Sequence, residues 1–403
     1  MVDAAASTKR EIDDSSPKRG VSSTQPAAAV SLLDVAAYSI FAQGNYFAPA
    51  QSPAWVREWV RHSGQDCAIV QISLRHGGQI ALPLEVSKVG PLKVARFMGN
   101  RHANGNFPPS SGSPGRIEAS EIVAAVKQVR PDVDLLLLER MAEQVGGAVN
   151  PLAHLPQQQS PNVSLAADLD GGFDALLDRA SGKRKRKKHR SQTRKFEAVG
   201  PIRRITPATA SEVNHILDAF FELKAARFRE MGLTDVFADE GTRSFFRGLF
   251  TSSLMQEPKQ FALQALEVDG KLRAITGCSR SADRMICEFG AIASDDLAHA
   301  SPGEFLFFDN IREACDEGFA VFDFSVGDEY YKRLWCNIEE HQFDVRLATS
   351  LNGRVLAGLL GAAASAKRSI KANPLVWSTI KRFRRSKALS SAETADQDRG
   401  IAD

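Results

Sequence analysis

The chain has 403 residues and a formal net charge of +3, and 43% of its residues are hydrophobic and 25% are charged. This size and composition allow a full hydrophobic core and predict two domains of ordinary size. The longest apolar run, at 355–366, is shorter than the ~20 residues that span a bilayer. Residues 1–28 lack the apolar segment of a secretory signal. We therefore expect a cytoplasmic protein with a disordered N-terminal tail and no transmembrane helix.

The cysteines and the spacing of possible metal ligands limit which disulfide and metal sites the chain can form. The five cysteines are Cys67, Cys278, Cys287, Cys315 and Cys336. An odd number without a Cys-x-x-Cys pair fits neither a disulfide framework nor a structural zinc site. No His, Asp or Glu cluster has the spacing of metal ligands, so we expect no metal. The cysteines are expected to be small buried hydrophobes in a reducing compartment.

Residues before 165 predict a first α/β unit. Trp55 and Trp59 lie one helical turn apart, which indicates a short helix with one buried face. A cluster of Gly, Asn, Pro and Ser at 99–115 predicts a long loop, and loops of this length are often functional. The predicted elements are a helix at 53–62, strands at 67–73, 79–86 and 92–98, a helix at 118–129 and a strand at 133–138.

A strongly basic block follows a predicted helix at 170–180. Nine Lys and Arg and no acid lie within 183–195, so the remainder of the chain carries a net charge of −6. Ser181 is expected to cap a helix through this block, and Gly200 to end it. Like charges four residues apart oppose helix formation by ~0.2–0.5 kcal/mol per pair, which favours an anionic counterpart. Nucleic acid is not expected as the main partner, because Phe196 is the only aromatic residue nearby.

The remaining elements form a second α/β unit. They are a strand at 202–205, helices at 211–231 and 240–254, strands at 261–268, 271–278 and 285–293, a helix at 301–317, a strand at 320–325, a helical turn at 329–334 and a strand at 342–349. Asp269 and Gly270 form the dipeptide favoured in two-residue hairpin turns. Ser301, Pro302 and Glu304 predict a sharply defined helix start with a capping box.

This order of elements matches that of the GNAT acyltransferase fold. The helix at 301–317 then serves as a crossover between the meander and the next parallel strand. Its N-terminus presents unpaired N–H groups and the positive end of the helix dipole, which suit a pyrophosphate. Gly303 would let such a ligand approach closely. The alternative is that Ser301 and Glu304 only cap the helix.

Three stretches of sequence resemble the CelD/BcsL-type acetyltransferases, a GNAT-superfamily group associated with cellulose and exopolysaccharide production. The stretches are SGKRKRKKHRSQTRKFEAVG (181–200), SPGEFLFFDNIREACDEG (301–318) and FDFSVGDEYYKRLW (322–335). The resemblance covers roughly residues 165–350. It implies a GNAT fold, with a mixed, mostly antiparallel central sheet flanked by helices.

The same resemblance implies acetyl-CoA as the acyl donor, without a metal. The cofactor-binding candidates are Ala291, Ser301 and Gly303. Most GNAT enzymes carry Arg or Gln, two further residues and then Gly-x-Gly or Gly-x-Ala at the pyrophosphate. This chain has HASPGE at 299–304 instead.

The first unit resembles a second, degenerate GNAT unit, an arrangement found in FemAB-type aminoacyltransferases. We therefore expect an α/β (α+β) chain with tandem GNAT-like halves. The predicted divisions are a tail at 1–28, an N-terminal half at 29–164, an acyl-CoA-binding half at 165–352, and a basic helical region with a second tail at 353–403.

Acyl transfer from a thioester to an amine needs a base for the amine and an acid for the leaving thiolate. Glu288 is the candidate base, with a solvent-facing strand residue as the equally open alternative. Asp323 lies between Phe322 and Phe324, so strand alternation directs it away from both rings and toward a substrate.

Three further residues lie just beyond the same strand, where ligands of α/β sheets collect. Tyr331 is the predicted general acid by analogy with many GNAT enzymes, and Tyr330 is the alternative. Lys332 is expected to contact an anionic substrate or the CoA phosphates.

The basic segments predict an anionic partner. The block at 183–195 suits an anionic saccharide, a lipid headgroup or CoA, and a plain solvated face is the alternative. A second basic stretch at 367–387 has apolar residues at partly helical spacing, which would suit an anionic membrane surface or a packing helix. Both together would place the protein at the inner membrane beside a polysaccharide synthase.

The predicted function is transfer of an acyl group, with acetyl expected, to an amino or hydroxyl group of a saccharide precursor or related metabolite. A FemAB-like aminoacyltransferase is the first alternative, distinguished by dependence on aminoacyl-tRNA. A catalytically silent module of a polysaccharide synthase is the second, distinguished by a failure to consume acyl-CoA.

Overall fold

The computed structural model describes residues 29–75, 77–112 and 115–372, with side chains as far as residue 366. Within these residues, no helix is long and apolar enough to cross a membrane. The first half contains β1 (Val30–Leu33), α1 (Val35–Ala42), α2 (Pro53–His62), β2 (Asp66–Ser73), β3 (Gln79–Val89), β4 (Leu92–Phe97), β5 (Ser110–Ser111), α3 (Ala119–Val129), β6 (Leu135–Met141), β7 (Gln144–Val145), β8 (Ala148–Val149) and β9 (Gln157–Asp168).

The second half repeats the pattern after two helices. It contains α4 (Gly172–Arg179), α5 (Gly182–Glu197), β10 (Ile202–Ile205), α6 (Ala210–Glu230), α7 (Glu240–Ser253), β11 (Phe261–Val268), β12 (Lys271–Ser281), β13 (Arg284–Ile292), α8 (Pro302–Asp316), β14 (Val321–Val326), α9 (Tyr330–Arg333), β15 (Ile338–Ala348) and α10 (Leu351–Ala372). The predicted bounds of α2, β10 and β11 are confirmed to the residue.

One sheet of 13 strands passes through both halves, in the order β1-β2-β3-β4-β6-β15-β9-β14-β13-β12-β11-β10, with β5 beside β3. In the first half β6 pairs in parallel with β4, and in the second half β14 pairs in parallel with β13. The other pairs in the sheet are antiparallel. The predicted fold class, a mixed and mostly antiparallel sheet in tandem GNAT-like halves, is confirmed.

The final strands of the two halves are exchanged. Strand β9 of the first half pairs with β14 of the second, and β15 of the second half pairs with β6 of the first. The two exchanged strands also pair with each other, antiparallel. The predicted division after residue 164 lies inside β9 and stays a prediction, because the sheet has no break there.

The sequence pattern does not predict β9, although this strand is central in the sheet. Its N-terminal part is polar, and Pro161 interrupts the run. Proline cannot donate to a ladder and is tolerated at irregularities. The pairing of β9 with β15 is irregular at this point, between His341 and Phe343. Neighbouring strands on both sides therefore stabilise a segment whose own preference is weak.

The basic helix α5 is confirmed, but its predicted cap is wrong. Ser181 has left-handed backbone angles (φ 60°, ψ 46°) and makes no side-chain capping bond, because a capping serine needs an extended backbone. The inward side of α5 carries Gln192 and Phe196, which are buried. Two cations of α5 have acidic partners: Arg186 pairs with Asp174, and Lys188 pairs with Glu304 of α8.

Two other predictions concern the cysteines and the C-terminal basic stretch. Cys278 and Cys287 are buried as expected, whereas the other three thiols are only partly buried, and all five are free. The predicted membrane-facing residues at 375–383 lie outside the described part of the chain.

A shared aromatic core joins the halves. Trp55 of α2 is 1% exposed, and its ring contacts Phe245 of α7 edge to face, with centroids 4.8 Å apart. Trp59, one turn later, makes the same contact with Phe245 at 4.8 Å. The Trp55 indole also donates to the carbonyl of Met98 at 3.2 Å. Helices of different halves are thus held by one set of rings.

We expect Trp55→Ala to lower the free energy of unfolding by about 3–5 kcal/mol, because the substitution leaves a large cavity and an unpaired carbonyl. Chemical denaturation monitored by fluorescence and circular dichroism measures the change. Val60→Ala on the same helix, at a position 39% exposed, is the matched control and should have little effect. If the halves unfold independently, two transitions will appear and Trp55→Ala will move only one.

Candidate active site

A cleft of about 540 Å³ lies between the two halves, beside the junction of β13 and β14. The first half supplies the residues just before α2, the loop that carries Asn104, the segment 142–146 after β6 and one residue of β9, and the second half supplies the remaining strand residues. The lining residues are Ala48, Pro49, Asn104, Gly105, Ala142, Glu143, Gln144, Val145, Gly146, Ser164, Ser281, Asp283, Arg284, Ile286, Glu288, Asp323, Ser325, Glu339, Glu340, His341 and Gln342. Two of the predicted catalytic residues, Glu288 and Asp323, therefore share one cleft.

Glu288 is held by groups from both halves. The hydroxyl of Ser279 on β12 donates to its Oε1 at 2.6 Å, and the Asn104 amide donates to its Oε2 at 2.8 Å. The pKa of Glu288 is raised to about 7: burial is the largest cause, the hydrogen bonds from Ser279 and Asn104 oppose it, and the charge of Asp323 adds to the rise. This carboxyl group can therefore gain and lose a proton near neutral pH, as a general base must.

Asp323 faces the cleft, as alternation predicts. Phe322 and Phe324 point into the opposite core, whereas Asp323 is 8% exposed on the cleft side. Its Oδ1 accepts from the backbone N–H of Ser325 at 2.7 Å and from the hydroxyl of Ser164 at 3.2 Å. Burial raises the pKa of Asp323 above its ordinary value.

Sequence reasoning missed three polar residues of this cleft. Arg284 binds both carboxylate oxygens of Glu340 and lies 3.5 Å from Asp323 Oδ2. Asn104 also donates to the backbone carbonyl of Glu288 at 2.7 Å, and the Gln342 amide donates to the carbonyl of Asn104 at 2.7 Å. The only sequence signal was for Asn104, which lies in the long loop at 99–115 that was expected to be functional.

Tyr331 and Lys332 do not line the cleft. The Tyr331 ring stacks on Phe307 of α8, with centroids 5.7 Å apart, and burial raises the pKa of its phenol. The Lys332 ammonium donates to the carbonyl of Val326 at 3.0 Å and pairs with Glu329 at 2.9 Å, so it holds the end of β14. Their predicted roles stay predictions. The alternative acid, Tyr330, is 78% exposed.

The predicted capping box at the start of α8 is wrong. Ser301 has left-handed backbone angles (φ 57°, ψ 62°) and makes no side-chain capping bond, while Glu304 pairs with Lys188 of α5. The Gln192 amide of α5 donates to the carbonyls of Ala300 and Ser301, at 2.8 and 3.1 Å. Helix α5 therefore holds this turn through the turn's carbonyls, which are different groups from the helix N–H groups that a capping serine would bind.

The start of α8 lies against the end of β13. A Cβ built on Gly303 would lie 2.7 Å from Cγ2 of Ile292, so the glycine makes room for this side chain. Strand β13 pairs with β14 only over Arg284 to Ile286, and its later residues, which include Ala291, do not pair with β14 in the described sheet. A helix N-terminus and an open strand edge therefore lie side by side.

Comparisons with known proteins agree with this architecture. Residues 183–333 match a family model described as an acetyltransferase (GNAT) domain, and the seven predicted site residues lie within that range. Similar solved structures include FemX, with 11% identity, a TM-score of 0.51 and coverage of 78% of this chain and 96% of that chain. At this identity the likeness supports the fold alone. No curated protein matches the chain.

Two other solved structures have lower TM-scores. A tandem GNAT protein from the clavulanic acid biosynthesis pathway has 13% identity and a TM-score of 0.43, covering 80% of this chain and 99% of that chain. L-PGS from Bacillus licheniformis has 11% identity and a TM-score of 0.42, covering 79% and 96%.

The fold and the cleft define a protein of the tandem GNAT-like class. More particularly, residues 183–333 match the GNAT acetyltransferase domain model, and this match supports a transferase. Among the described residues, no group of His, Cys, Asp or Glu side chains is arranged to hold a metal ion.

We expect one glutamate carboxyl to titrate with a midpoint near pH 7. Carbon-13 NMR of glutamate-labelled protein measures it, and Glu288→Gln should remove that signal. Ser279→Ala should raise the midpoint, because the lost hydroxyl stabilises the carboxylate.

Ser281→Ala is the matched control for this titration, since the hydroxyl of Ser281 points to the carbonyl of Phe47 instead. It should leave the midpoint unchanged. A wild-type spectrum in which every glutamate titrates near pH 4–5 would contradict the proposed environment of Glu288.

Proposed function

We propose that this protein transfers an acyl group, with acetyl expected, from acyl-CoA to an amino group held in the cleft. The observation that carries the proposal is the position of Glu288. Its partly buried carboxyl has a pKa raised to about 7, it lines a cleft between the halves, and it lies on the strand whose open edge leads to a helix N-terminus.

The acceptor side of the reaction follows from the contacts of Glu288. An amine attacks a carbonyl only as the free base, so it must first lose a proton. Glu288 receives that proton, and the bonds from Ser279 and Asn104 fix the direction of its carboxylate. Asn104 belongs to the first half. Its hydrogen bond to Glu288 therefore joins the two halves at the cleft and also orients the proposed base.

The donor side suits an acyl-CoA. The first turn of α8, with the N–H of Gly303, would hold the pyrophosphate, and the unpaired edge of β13 near Ala291 would accept hydrogen bonds from an extended chain with amide groups. Ile292 and Glu288 are separated by four residues, about 13 Å along a strand. Bound there, acyl-CoA would supply a thioester carbonyl near Glu288.

We propose Tyr331 as the proton donor to the departing sulfur. Its raised pKa keeps the phenol protonated at neutral pH, so a proton is available. Lys332 keeps β14 in position through its bonds to that strand's carbonyls. Ser301 shapes the turn before α8.

Glu288→Gln should lower kcat by about 10²–10⁴-fold, the usual contribution of a general base. Release of thiol from acetyl-CoA measures the rate, and calorimetric titration with CoA measures donor binding, which should be unchanged. Glu267→Gln, on β11 two strands away, is the matched control and should retain full activity. A wild-type protein that neither binds CoA nor releases thiol would contradict the proposed donor.

We further propose that the acceptor belongs to saccharide metabolism in the cytoplasm, and that the activity serves cellulose or exopolysaccharide production. The support is the resemblance of the segments around α5, α8 and β14 to CelD/BcsL-type acetyltransferases. We also propose, on the same resemblance, that the acyl-CoA-binding domain begins after residue 164.

One observation favours a second candidate, aminoacyl transfer from tRNA. The outer side of α5 exposes a row of cations that includes Lys187, Arg190 and Arg194. Such a row suits a polyanion, because Lys and Arg release counterions from phosphates. An anionic membrane surface or an anionic saccharide has the same charge, and either would leave acyl-CoA as the donor.

Replacing Lys187, Arg190 and Arg194 together with Glu separates these candidates. If the donor is acyl-CoA, thiol release should change less than twofold, because the three side chains lie outside the cleft and α5 contacts the start of α8 through Lys188 and Gln192 instead. If the donor is aminoacyl-tRNA, product formation should fall by more than 100-fold, since each lost phosphate contact weakens binding. Binding to anionic vesicles at low salt, lost in the same variant, would identify a membrane surface instead.

A further inference from the structure

The cleft between the halves is strongly acidic. Its carboxyl groups are those of Glu143, Asp283, Glu288, Asp323, Glu339 and Glu340. Arg284 and His341 are the only basic residues among its described lining. Clefts lined by one sign of charge focus the field and concentrate ligands of the opposite sign.

The cations near the cleft are already engaged. Arg284 is bound by both oxygens of Glu340 and approaches Asp323. Arg333, from outside the lining, pairs with Glu339. An anionic acceptor would therefore find no open guanidinium among the described lining residues, and it would be repelled by the remaining carboxylates.

A second observation is independent of the charges. Gln342 is 8% exposed and lines the cleft, and its Oε1 has no hydrogen-bond partner. Its amide nitrogen donates to the carbonyl of Asn104, and this hydrogen bond identifies which end of the side-chain amide is nitrogen and which is oxygen. A buried acceptor without a donor is rare in folded proteins. The missing partner must carry an N–H or O–H group.

We propose that the acceptor is a polyamine-like cation that carries at least two ammonium groups, on an aliphatic chain or on an aminated sugar. One ammonium lies at Glu288 and Gln342 and is the group that is acylated. The second lies toward the exposed carboxylates of Glu143 and Asp283. This inference rests on the proposed function and specifies its substrate.

The chemistry balances without another reactant. The reactive ammonium gives one proton to Glu288, and the free amine attacks the thioester carbonyl. A C–N bond forms, the C–S bond breaks, and the nitrogen loses its second proton as the sulfur leaves as a thiol. The products are an amide, a free thiol and one proton, and the acceptor leaves with one positive charge fewer, which weakens its hold on the acidic cleft.

Calorimetric titration of the full chain tests the substrate class with three probes of equal length: 1,4-diaminobutane, 4-amino-1-butanol and 4-aminobutanoate. The dication should bind at least tenfold more tightly than the monocation, and the zwitterion should bind most weakly. The double variant Glu143→Gln/Asp283→Asn should weaken binding of the dication about 5–20-fold and that of the monocation less. Gln342→Leu should weaken both.

Asp178→Asn is the matched control, because it removes one exposed carboxylate of α4, outside the cleft. It should leave all three affinities unchanged. Equal binding of dication and zwitterion, or binding of the dication that the double variant does not alter, would overturn the inference.

Thiol release from acetyl-CoA, followed in parallel, keeps the two proposals apart. If 4-aminobutanoate is acetylated as well as 1,4-diaminobutane, acyl transfer stands and the dicationic acceptor is overturned. If the dication binds as predicted but no thiol appears, the acceptor class is supported and the proposed donor chemistry fails.

Discussion

Strands β9 and β15 lie next to each other at the centre of the sheet, and each completes the half of the chain to which it does not belong. Neither half has a finished sheet without the other, because β14 would lose its neighbour β9 and β6 would lose β15. The exchange leaves few unpaired strand edges inside the molecule. Unpaired edges are otherwise sites of non-specific pairing with other strands. It also fixes where the two halves meet.

The cleft follows from this exchange. Strands β13 and β14 pair over only three residues and then separate, and β9 and β15 bring Ser164 and Gln342 to the same place. The first half closes the space with the loop that carries Asn104. Its amide reaches Glu288 across 184 positions of sequence, so the carboxylate of Glu288 is oriented by the half that does not match the GNAT domain model.

Charge is separated on the surface of this protein. Most of the cations of α5 are exposed, while the carboxylates of six residues converge on the cleft. A net charge of +3 conceals both regions. The side of α5 that does not face solvent packs on α8, where His189 stacks on Phe305 with centroids 4.2 Å apart and Gln192 binds two carbonyls. One helix thus stabilises the start of α8 and presents a basic surface.

Much of the architecture could be predicted from local pattern. Asp269 and Gly270 both have positive φ, as the two-residue hairpin turn requires, and alternation placed Asp323 opposite Phe322. The capping serines were predicted wrongly, because neither local sequence reports the left-handed backbone angles of its serine. Strand β9 was missed, because its neighbours rather than its own residues stabilise it.

The sequence by itself determined the elements, their order and the residues that face the core, since these depend on periods of 2 and 3.6 residues within one segment. It also determined that Glu288 and Asp323 lie on adjacent strands of one unit. Only the tertiary structure decided that the halves exchange strands, that Asn104 and Gln342 join Glu288, and that Tyr331 and Lys332 do not line the cleft. These contacts depend on pairings between distant segments, and burial, which raises the pKa of Glu288, exists only once those segments have met.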